Sequence, residues 1–155
     1  MATKNKSQGS PTAPVSIGRK LNFAAATGSA VTNKLLEPHG LSLAQWAVLV
    51  SIWRNGPLSG KQIAELTGNE ASATSRIIDR MVKNGLLVRQ TVEQDRRSVV
   101  VTLTEHAKAM RDLQYIYQQV NATLLQDFST QEVDQLFALL DRLETAGKNW
   151  LKQQK

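Results

Sequence analysis

The chain has 155 residues, a length that suits a single domain with one hydrophobic core. It contains no cysteine, which excludes disulfides, thiolate metal sites and thiol-based redox sensing. No apolar run approaches the ~18 residues that a transmembrane helix needs, and the polar N-terminus lacks the apolar stretch of a secretory signal. We therefore expect a cytoplasmic protein without a membrane partner, and its formal net charge of +6 suits a polyanionic partner.

Residues 1–14 are rich in Ser, Thr, Gly, Pro and Lys, and this composition predicts a disordered basic arm. A helical pattern follows, because apolar or small side chains recur at steps of three and four from Ile17 to Leu35. Residues 37–40, which include Pro38 and Gly40, should stop this first helix. We expect residues 15–155 to form one domain.

Two capping boxes, at residues 42–45 and 59–62, predict the starts of a second and a third helix, since the serine and glutamine side chains satisfy free amides there. A fourth helix is expected to begin near Asn69 and to end at Gly85, a left-handed stop. In these three helices the side chains expected to be buried are Trp46, Leu49, Ile52, Trp53, Ile63, Leu66, Ala73, Thr74, Ile77, Ile78 and Met81.

The period then changes. Residues 86–92 and 98–103 are rich in branched side chains, as strands are, and residues 93–97 between them predict a polar hairpin tip. Two strands joined in this way form a wing.

Two long helices are predicted after the wing. Thr104 should start the first, and a third capping box at residues 129–132 should open the second. Their apolar stripes either pack on each other within one chain or meet a second copy of it. These stripes consist of Met110, Leu113, Tyr117, Val120 and Leu124, and of Val133, Leu136, Leu140, Leu143 and Trp150.

The third and fourth helices, with the turn at residues 67–68, predict a helix-turn-helix. Small side chains near the start of the fourth helix would let it enter the major groove of DNA, where Arg76 reaches a guanine edge or a phosphate. Helical periodicity also places Asp79 on the outer side of this helix. The alternative is an ordinary amphipathic helix with a solvated charged face. The residues expected to face DNA are Ser72, Ala73, Ser75, Arg76, Arg80 and Lys83.

The predicted wing tip carries two arginines, Arg96 and Arg97, which have no obvious role in folding. An arginine there can enter the narrow, electronegative minor groove. Asp95 could fix the direction of Arg97 through a charge-assisted hydrogen bond. The alternative is a polar turn with a surface ion pair of little energetic consequence.

Residues 41–107 resemble the DNA-binding core of the MarR family of bacterial transcription regulators. A specific sign is the Asp-x-Arg wing signature at residues 95–97 before the Leu-Thr-Glu helix start at residues 103–105; His106-Ala107 follows where the family often has Gly. The other segments that carry the resemblance are residues 41–46, 72–80 and 85–89.

The resemblance implies a mostly α-helical fold with a small β wing: a winged helix-turn-helix at residues 41–104 and dimerisation helices at residues 15–37 and 105–153. It implies that Arg97 is the minor-groove arginine and Asp95 its orienting partner. A twofold homodimer would bind a near-palindromic operator with half-sites roughly 34–36 Å apart, usually as a repressor.

Regulators of this family usually respond to a small ligand, often an aromatic acid or phenol, and acyl thioesters are included among the candidates here. The resemblance places the ligand between the dimer helices and the DNA-binding lobe. Arg19, His39, Trp46 and Trp53 could line that pocket, with aromatic walls and a cation for a carboxylate. The alternative is that the tryptophans belong to the core and Arg19 is solvated.

Three other classes compete with this interpretation. The sequence has no glycine-rich phosphate loop, nucleophile elbow or paired-carboxylate motif, so we expect no enzyme and no cofactor. His39 and His106, with Glu37 and Glu105 beside them, could supply zinc ligands to a metal-responsive regulator, but their spacing is poor and no metal site is predicted. A protein-interaction adaptor would keep the dimer helices and have no need of the wing arginines.

Overall fold

The computed structural model describes residues 16–92 and 95–154, and of residues 92 and 95–98 it describes the backbone alone. The predicted arm at residues 1–14 lies outside the described residues. The helices within them are α1 (Ile17–Leu36), α2 (Leu43–Asn55), α3 (Gly60–Thr67), α4 (Ala71–Lys83), α5 (Glu105–Ala109), α6 (Ile116–Leu124) and α7 (Thr130–Gln153). An antiparallel pair of strands, β1 (Leu87–Val92) and β2 (Asp95–Leu103), lies between α4 and α5. Short 3-10 helices occur at Glu37–His39 and Arg111–Tyr115.

Local signals start and stop most of these helices as predicted. The Ser42 amide donates to Gln45 Oε1 at 2.9 Å, while Ser42 Oγ accepts from the Gln45 amide at 3.3 Å. The same reciprocal pair opens α3 and α7, so all three predicted capping boxes are confirmed. Gly85, at φ 69°, follows α4 in the left-handed conformation expected of it.

The core forms around α2, which packs against α1, α3, α4, β2 and the second 3-10 helix. Leu58, just after α2, exchanges two backbone hydrogen bonds with Val101 of β2, at 2.7 and 3.2 Å, and so extends the sheet by a short bridge. These contacts hold the wing against the helices. The largest fully buried side chains are Leu36, Val48, Leu49, Ile63, Thr74, Ile78, Met81 and Leu87.

Leu66 was expected to be buried, and this prediction is wrong, since the side chain is 56% exposed. The buried residues of α3 are Ile63 and Ala64. Leu66 lies two positions beyond Ala64, and at 3.6 residues per turn this rotates it about 200° around the helix axis. It therefore points away from the core.

The long helix predicted from Thr104 is interrupted, so that prediction is also wrong. The chain forms α5, a 3-10 helix and α6 in succession. The indole N–H of Trp53 donates to the Ala107 carbonyl at 3.0 Å, and that of Trp46 donates to the Leu113 carbonyl at 2.7 Å. The Ala107 carbonyl also accepts from the Met110 amide, three residues on, at 3.3 Å. Tertiary contacts with α2 thus accompany a local change of helix type.

The wing is confirmed, with a shorter tip than the sequence indicated. β1 pairs with β2 from Leu87 opposite Leu103 to Thr91 opposite Val99, and the register then shifts so that Val92 faces Asp95. The backbone of residues 95–97, expected in the hairpin tip, therefore belongs to β2. Polar residues at the end of an exposed ribbon do not have to alternate with apolar ones, so their pattern did not indicate a strand.

The terminal helices are incompletely covered. α6 packs on α1, where the side chain of Leu124 lies next to Gly28. No residue of α7 is buried. Its exposed large apolar side chains are Phe137, Leu139, Leu140, Leu143, Trp150 and Leu151. No helix of the described residues is long and apolar enough to cross a lipid bilayer.

Candidate nucleic-acid interface

The helix-turn-helix predicted from sequence is present as α3, a turn at Gly68 and α4. Gly68 adopts φ 68° and reverses the chain after α3. The inner face of α4 consists of Thr74, Ile78 and Met81, all buried and spaced by four and three residues. Because this face is fixed against the core, the opposite face of α4 must point to solvent.

The outer face of α4 contains most of the residues that the sequence assigned to DNA. Ala73 lies at its edge and is half-buried, so its contact with a ligand outside would be limited. The N-cap residue, Glu70, makes no side-chain hydrogen bond to the first turn among the described residues, and the amides of that turn add partial positive charge. The exposed members of the face are Ser72, Ser75, Arg76, Arg80 and Lys83.

An ion pair connects α4 to the wing. Arg89 Nη2 of β1 lies 2.6 Å from Asp79 Oδ1 of α4, and both side chains are about half exposed. The pair shows that β1 lies beside the outer face of α4. Sequence reasoning placed Asp79 on the outer face and missed Arg89, because a contact between two elements leaves no local pattern.

Thr104 starts α5, as the sequence predicts, and it also makes contacts that the sequence did not reveal. Its hydroxyl donates to the Gly85 carbonyl at 2.7 Å, and its backbone amide donates to the Leu86 carbonyl at 3.1 Å. The hydroxyl oxygen of Thr104 also accepts a hydrogen bond from the Ala107 amide at 3.3 Å and so caps α5. Thr104 therefore joins the end of α4, the base of the wing and the start of α5.

The three residues expected at the wing tip, Asp95, Arg96 and Arg97, begin β2 at the far end of the ribbon from Leu103. Their side chains lie outside the described residues. The minor-groove role of Arg97 and its orientation by Asp95 therefore stay predictions.

The structure does not bring the four expected effector residues together within one protomer. Arg19 lies near the start of α1, over the ring of Phe23 at 5.5 Å, and His39 follows the other end of that helix. Twenty residues at 1.5 Å each separate Arg19 from His39 by about 30 Å. Trp53 is 5% exposed, Trp46 is half-buried, and both indoles bond to the carbonyls described above.

Neither histidine lies in a cluster of metal-ligating residues. His39 and His106 are both exposed. Within residues 16–92 and 95–154, no group of three or more His, Asp or Glu side chains is placed to hold a metal ion.

In a comparison with known protein families, residues 41–99 match the MarR family. These residues span α2, the helix-turn-helix and most of the wing. A protein from Pseudomonas aeruginosa described as a probable transcriptional regulator is 30% identical, with a TM-score of 0.75 over 82% of this chain and 96% of that one. A cysteine-to-serine mutant of MarR from E. coli, complexed with operator DNA, is 25% identical, with a TM-score of 0.76 over 82% and 92%.

A third structure, of BpsR from Bordetella bronchiseptica, concerns the regulation of its DNA binding by 6-hydroxynicotinic acid. It is 22% identical, with a TM-score of 0.77 over 88% of this chain and 98% of that one. The family model and these structures agree with the helix-turn-helix and wing seen here. The chain therefore belongs to the MarR family of winged helix DNA-binding transcription regulators.

Proposed function

We propose that the chain acts as a homodimeric repressor that binds a near-palindromic operator and is released by a small aromatic acid, phenol or acyl thioester. The observation that carries the DNA-binding mode is the outer face of α4, which is exposed and lies beside the wing, where Asp79 and Arg89 form an ion pair.

The chemistry of α4 suits insertion into the major groove. Ser72 and Ser75 are small, so the start of the helix approaches the base edges closely. Arg76, one position further, then contacts a guanine or a phosphate, whereas Arg80 and Lys83 contact the backbone. Asp79 lies on the same face, and its charge would repel phosphates. The neighbouring guanidinium of Arg89 offsets that repulsion.

The wing supplies the second contact in this proposal. Arg97 enters the minor groove beside the recognition site, Asp95 directs it, and Arg96 adds a phosphate contact. The E. coli MarR mutant complexed with operator DNA, whose fold this chain shares, supports an interface with duplex DNA.

A second copy of the chain is the proposed cover for the exposed apolar side chains of α7 and of the N-terminal half of α1. Phe23 of α1 and Phe137 of α7 are both at least half exposed. Residues 15–37 and 105–153 would then form the dimer region, and residues 41–104 the DNA-binding lobe. A twofold axis would present two copies of α4 to half-sites roughly 34–36 Å apart.

The proposed ligand response is argued by analogy with a protein of the same fold. BpsR, whose DNA binding is regulated by 6-hydroxynicotinic acid, shares the fold, and that compound is an aromatic acid. A ligand that favours one spacing of the two recognition helices would shift the population away from the DNA-bound form.

The test begins with selection of bound duplexes from a random pool by the purified full-length chain. Fluorescence anisotropy on the selected site should then show that Arg76→Ala weakens binding by ~1–3 kcal/mol. Lys34→Ala serves as the control, because it removes an exposed positive charge outside α4 and the wing. The absence of any duplex preference at low ionic strength would refute the proposed DNA-binding mode.

A further inference from the structure

The side-chain amide of Asn33 connects two helices. Asn33 lies in the last turn of α1 and is exposed. Its Oδ1 atom accepts a hydrogen bond from the Leu43 amide, at the first residue of α2, at 2.8 Å, and its Nδ2 atom donates to the Ser29 carbonyl of α1 at 2.9 Å. An asparagine amide has an acceptor on one branch and donors on the other, so one side chain serves both helices. Asn33 thus joins a helix of the dimer region to a helix of the DNA-binding lobe.

The Leu43 amide is available for this bond because the capping box of α2 does not use it. The first amides of a helix have no partner within the helix. In α2 the box satisfies the amides of Ser42 and Gln45 and leaves that of Leu43. Asn33, ten positions earlier, supplies the missing acceptor from another helix. The bond therefore contributes to the start of α2 and to the junction between the helices.

The other contacts at this junction restrain its direction less. Leu36 at the end of α1 and Leu41 before α2 are buried in the core. Apolar burial is non-directional, whereas a hydrogen bond weakens steeply as its angle departs from linearity. The Leu41 amide donates to the Leu36 carbonyl at 3.4 Å, which is long for such a bond. Among residues 16–92 and 95–154, the bond from Leu43 to Asn33 is therefore the short directional link between α1 and α2.

A small change of angle at this junction would produce a large displacement of the recognition helix. α4 packs against α2 in the DNA-binding lobe, whereas α1 packs on α6 in the dimer region. A rotation of about 10° over a lever of about 20 Å moves its far end by roughly 3.4 Å, the rise of one base pair. In a twofold dimer both lobes would move, so the spacing of the two copies of α4 depends on this angle.

We propose that Asn33 is a positioning residue that fixes the angle between α1 and the DNA-binding lobe, and thereby the operator spacing that the dimer accepts. The part that concerns operator spacing rests on the proposed function, because it requires two lobes on one duplex. The part that concerns the angle does not, since both hydrogen bonds lie within one chain. Asn33 itself does not contact DNA in this proposal, and its effect is transmitted through α2 to α4.

Asn33 also has a purely local explanation, since its bond to the carbonyl four residues earlier stabilises the end of α1. Asn55 makes the same local bond at the end of α2, where its Nδ2 atom donates to the Ser51 carbonyl at 2.8 Å. Asn55 is likewise exposed, and within the described residues its side chain bonds to no second helix. Asn33→Leu and Asn55→Leu therefore remove the same local bond, and Asn33→Leu alone removes a link between helices.

Asn33→Asp separates the two bonds of the side chain. A carboxylate keeps an acceptor for the Leu43 amide, where the helix N-terminus favours negative charge, and it loses the donor to Ser29. If the link to α2 is what matters, this variant should behave like the wild type.

Pulsed electron paramagnetic resonance between spin labels on α1 and α3 measures the angle. The chain has no cysteine, so Lys20→Cys and Glu65→Cys introduce two unique labelling sites at exposed positions. Dilution with an excess of unlabelled chain restricts the signal to distances within one protomer. We expect the distance distribution to become about twice as broad in Asn33→Leu, because a directional bond is lost, and to stay unchanged in Asn33→Asp and Asn55→Leu.

Circular dichroism and thermal unfolding check that each variant is folded, and Asn33→Ala replaces Asn33→Leu if the latter is not. A distribution as narrow in Asn33→Leu as with Asn33 intact would overturn the proposal. Equal broadening in Asn55→Leu would do the same, because it would trace the effect to the local bond. Broadening in Asn33→Asp would show that the link to Leu43 is not the cause.

The functional part is tested with operators whose half-sites are moved one base pair closer together or further apart. We expect the wild type to bind these duplexes about tenfold more weakly than the selected site, because half-site spacing follows from the geometry of the dimer. In Asn33→Leu this penalty should shrink about threefold, since its lobes can adopt other spacings. Asn55→Leu should keep the full penalty.

Equal discrimination between spacings by the wild type and Asn33→Leu would overturn the functional part. A chain that binds no duplex, yet shows the broader distances in Asn33→Leu, would sink the proposed DNA-binding mode and leave the angular role of Asn33. Operator binding with unchanged distances in Asn33→Leu would sink the role of Asn33 alone.

Discussion

Thr74 shows how one buried atom on the recognition helix affects stability. The residue is 1% exposed, and its Oγ1 has no hydrogen-bond partner among the described residues. A buried hydroxyl without a partner costs roughly 1–3 kcal/mol. We predict that Thr74→Val raises the free energy of unfolding by about 1 kcal/mol in urea titrations, because it keeps the shape and removes the hydroxyl. Thr74→Ser, which keeps the hydroxyl and loses the methyl group, should destabilise; a valine variant less stable than the wild type would contradict the prediction.

For the ion pair of Asp79 and Arg89 we predict a small effect on stability, because its side chains are 56% and 44% exposed. Exposed pairs contribute at most about 1 kcal/mol to stability, so neither Asp79→Asn nor Arg89→Gln should lower it by more. DNA binding should respond more strongly. Arg89→Gln leaves Asp79 uncompensated next to the phosphates and should weaken operator affinity, whereas the double variant should recover much of the loss.

Fluorescence anisotropy on the selected operator measures this recovery, and thermal unfolding checks the stability. If the double variant bound no better than Arg89→Gln alone, the role of Arg89 would be a direct contact with DNA and not neutralisation of Asp79. The sequence indicated Asp79 through helical periodicity but could not indicate its partner in β1, which lies ten positions away on another element.

Elements with local start and stop signals were predictable from the sequence. The starts of α2, α3 and α7 follow from serine and Gln or Glu three residues apart, and the end of α4 follows from Gly85. The interruption between α5 and α6 was not predictable, because the indoles that reach its carbonyls belong to α2, more than fifty residues earlier. An apolar seam with steps of three and four continues through a 3-10 segment without a visible break.

The capping box of α7 differs from the other two, since Glu132 replaces glutamine at its third helical position. Hydrogen bonds from the backbone and then the side chain of Ser129 hold the pKa of Glu132 below its ordinary value. A carboxyl group with a lowered folded-state pKa stabilises the fold above its unfolded-state pKa, and this contribution disappears as the pH falls through the lowered value.

We therefore predict that amides in the first turn of α7 lose hydrogen-exchange protection as the pH is lowered from about 5, once intrinsic rates are corrected. The first turns of α2 and α3, with Gln45 and Gln62, should not respond, and they serve as internal controls. Glu132→Gln should abolish the response. Equal acid sensitivity of all three helices would show that the effect is global unfolding.

At the scale of the whole molecule, the exposed stripe of α7 predicts self-association. Leu140 and Leu143 are each 40% exposed, three residues apart on one face. Replacing an apolar side chain in a buried interface by a charged one removes a main contribution to the free energy of dimerisation. Leu143→Glu should therefore raise the dimer dissociation constant by about 30-fold or more. Sedimentation equilibrium measures this change.

Leu66→Glu is the matched control, because Leu66 is also an exposed leucine but lies on α3. It should leave the dimer intact. Sedimentation of the wild type as a stable monomer would contradict the proposed dimer altogether.

The overall architecture was more predictable from the sequence than any other feature. Helix order, the wing and the helix-turn-helix are all indicated by apolar periodicity or by residues that start and stop helices and strands. A cavity at the C-terminal end of α2 was not predictable, since its lining includes Ile52, Leu103 and Arg111, which only folding brings together. The expected effector set included Arg19 and His39 on residue type alone. The helix predicted from Ile17 to Leu35 already implied that these two residues lie far apart, and the structure shows that α1 is continuous.

The three tryptophans occupy three distinct settings, and this gives the molecule a set of intrinsic optical probes. The indole of Trp46 donates to a carbonyl of the second 3-10 helix and that of Trp53 to a carbonyl of α5, whereas Trp150 is 61% exposed near the end of α7. If tryptophan fluorescence shifts to shorter wavelength as the protein concentration rises, the shift would come from Trp150 as its side chain is removed from water. Trp46 and Trp53 instead report on the packing of α2, so single Trp→Phe replacements separate assembly from changes in the core without any attached dye.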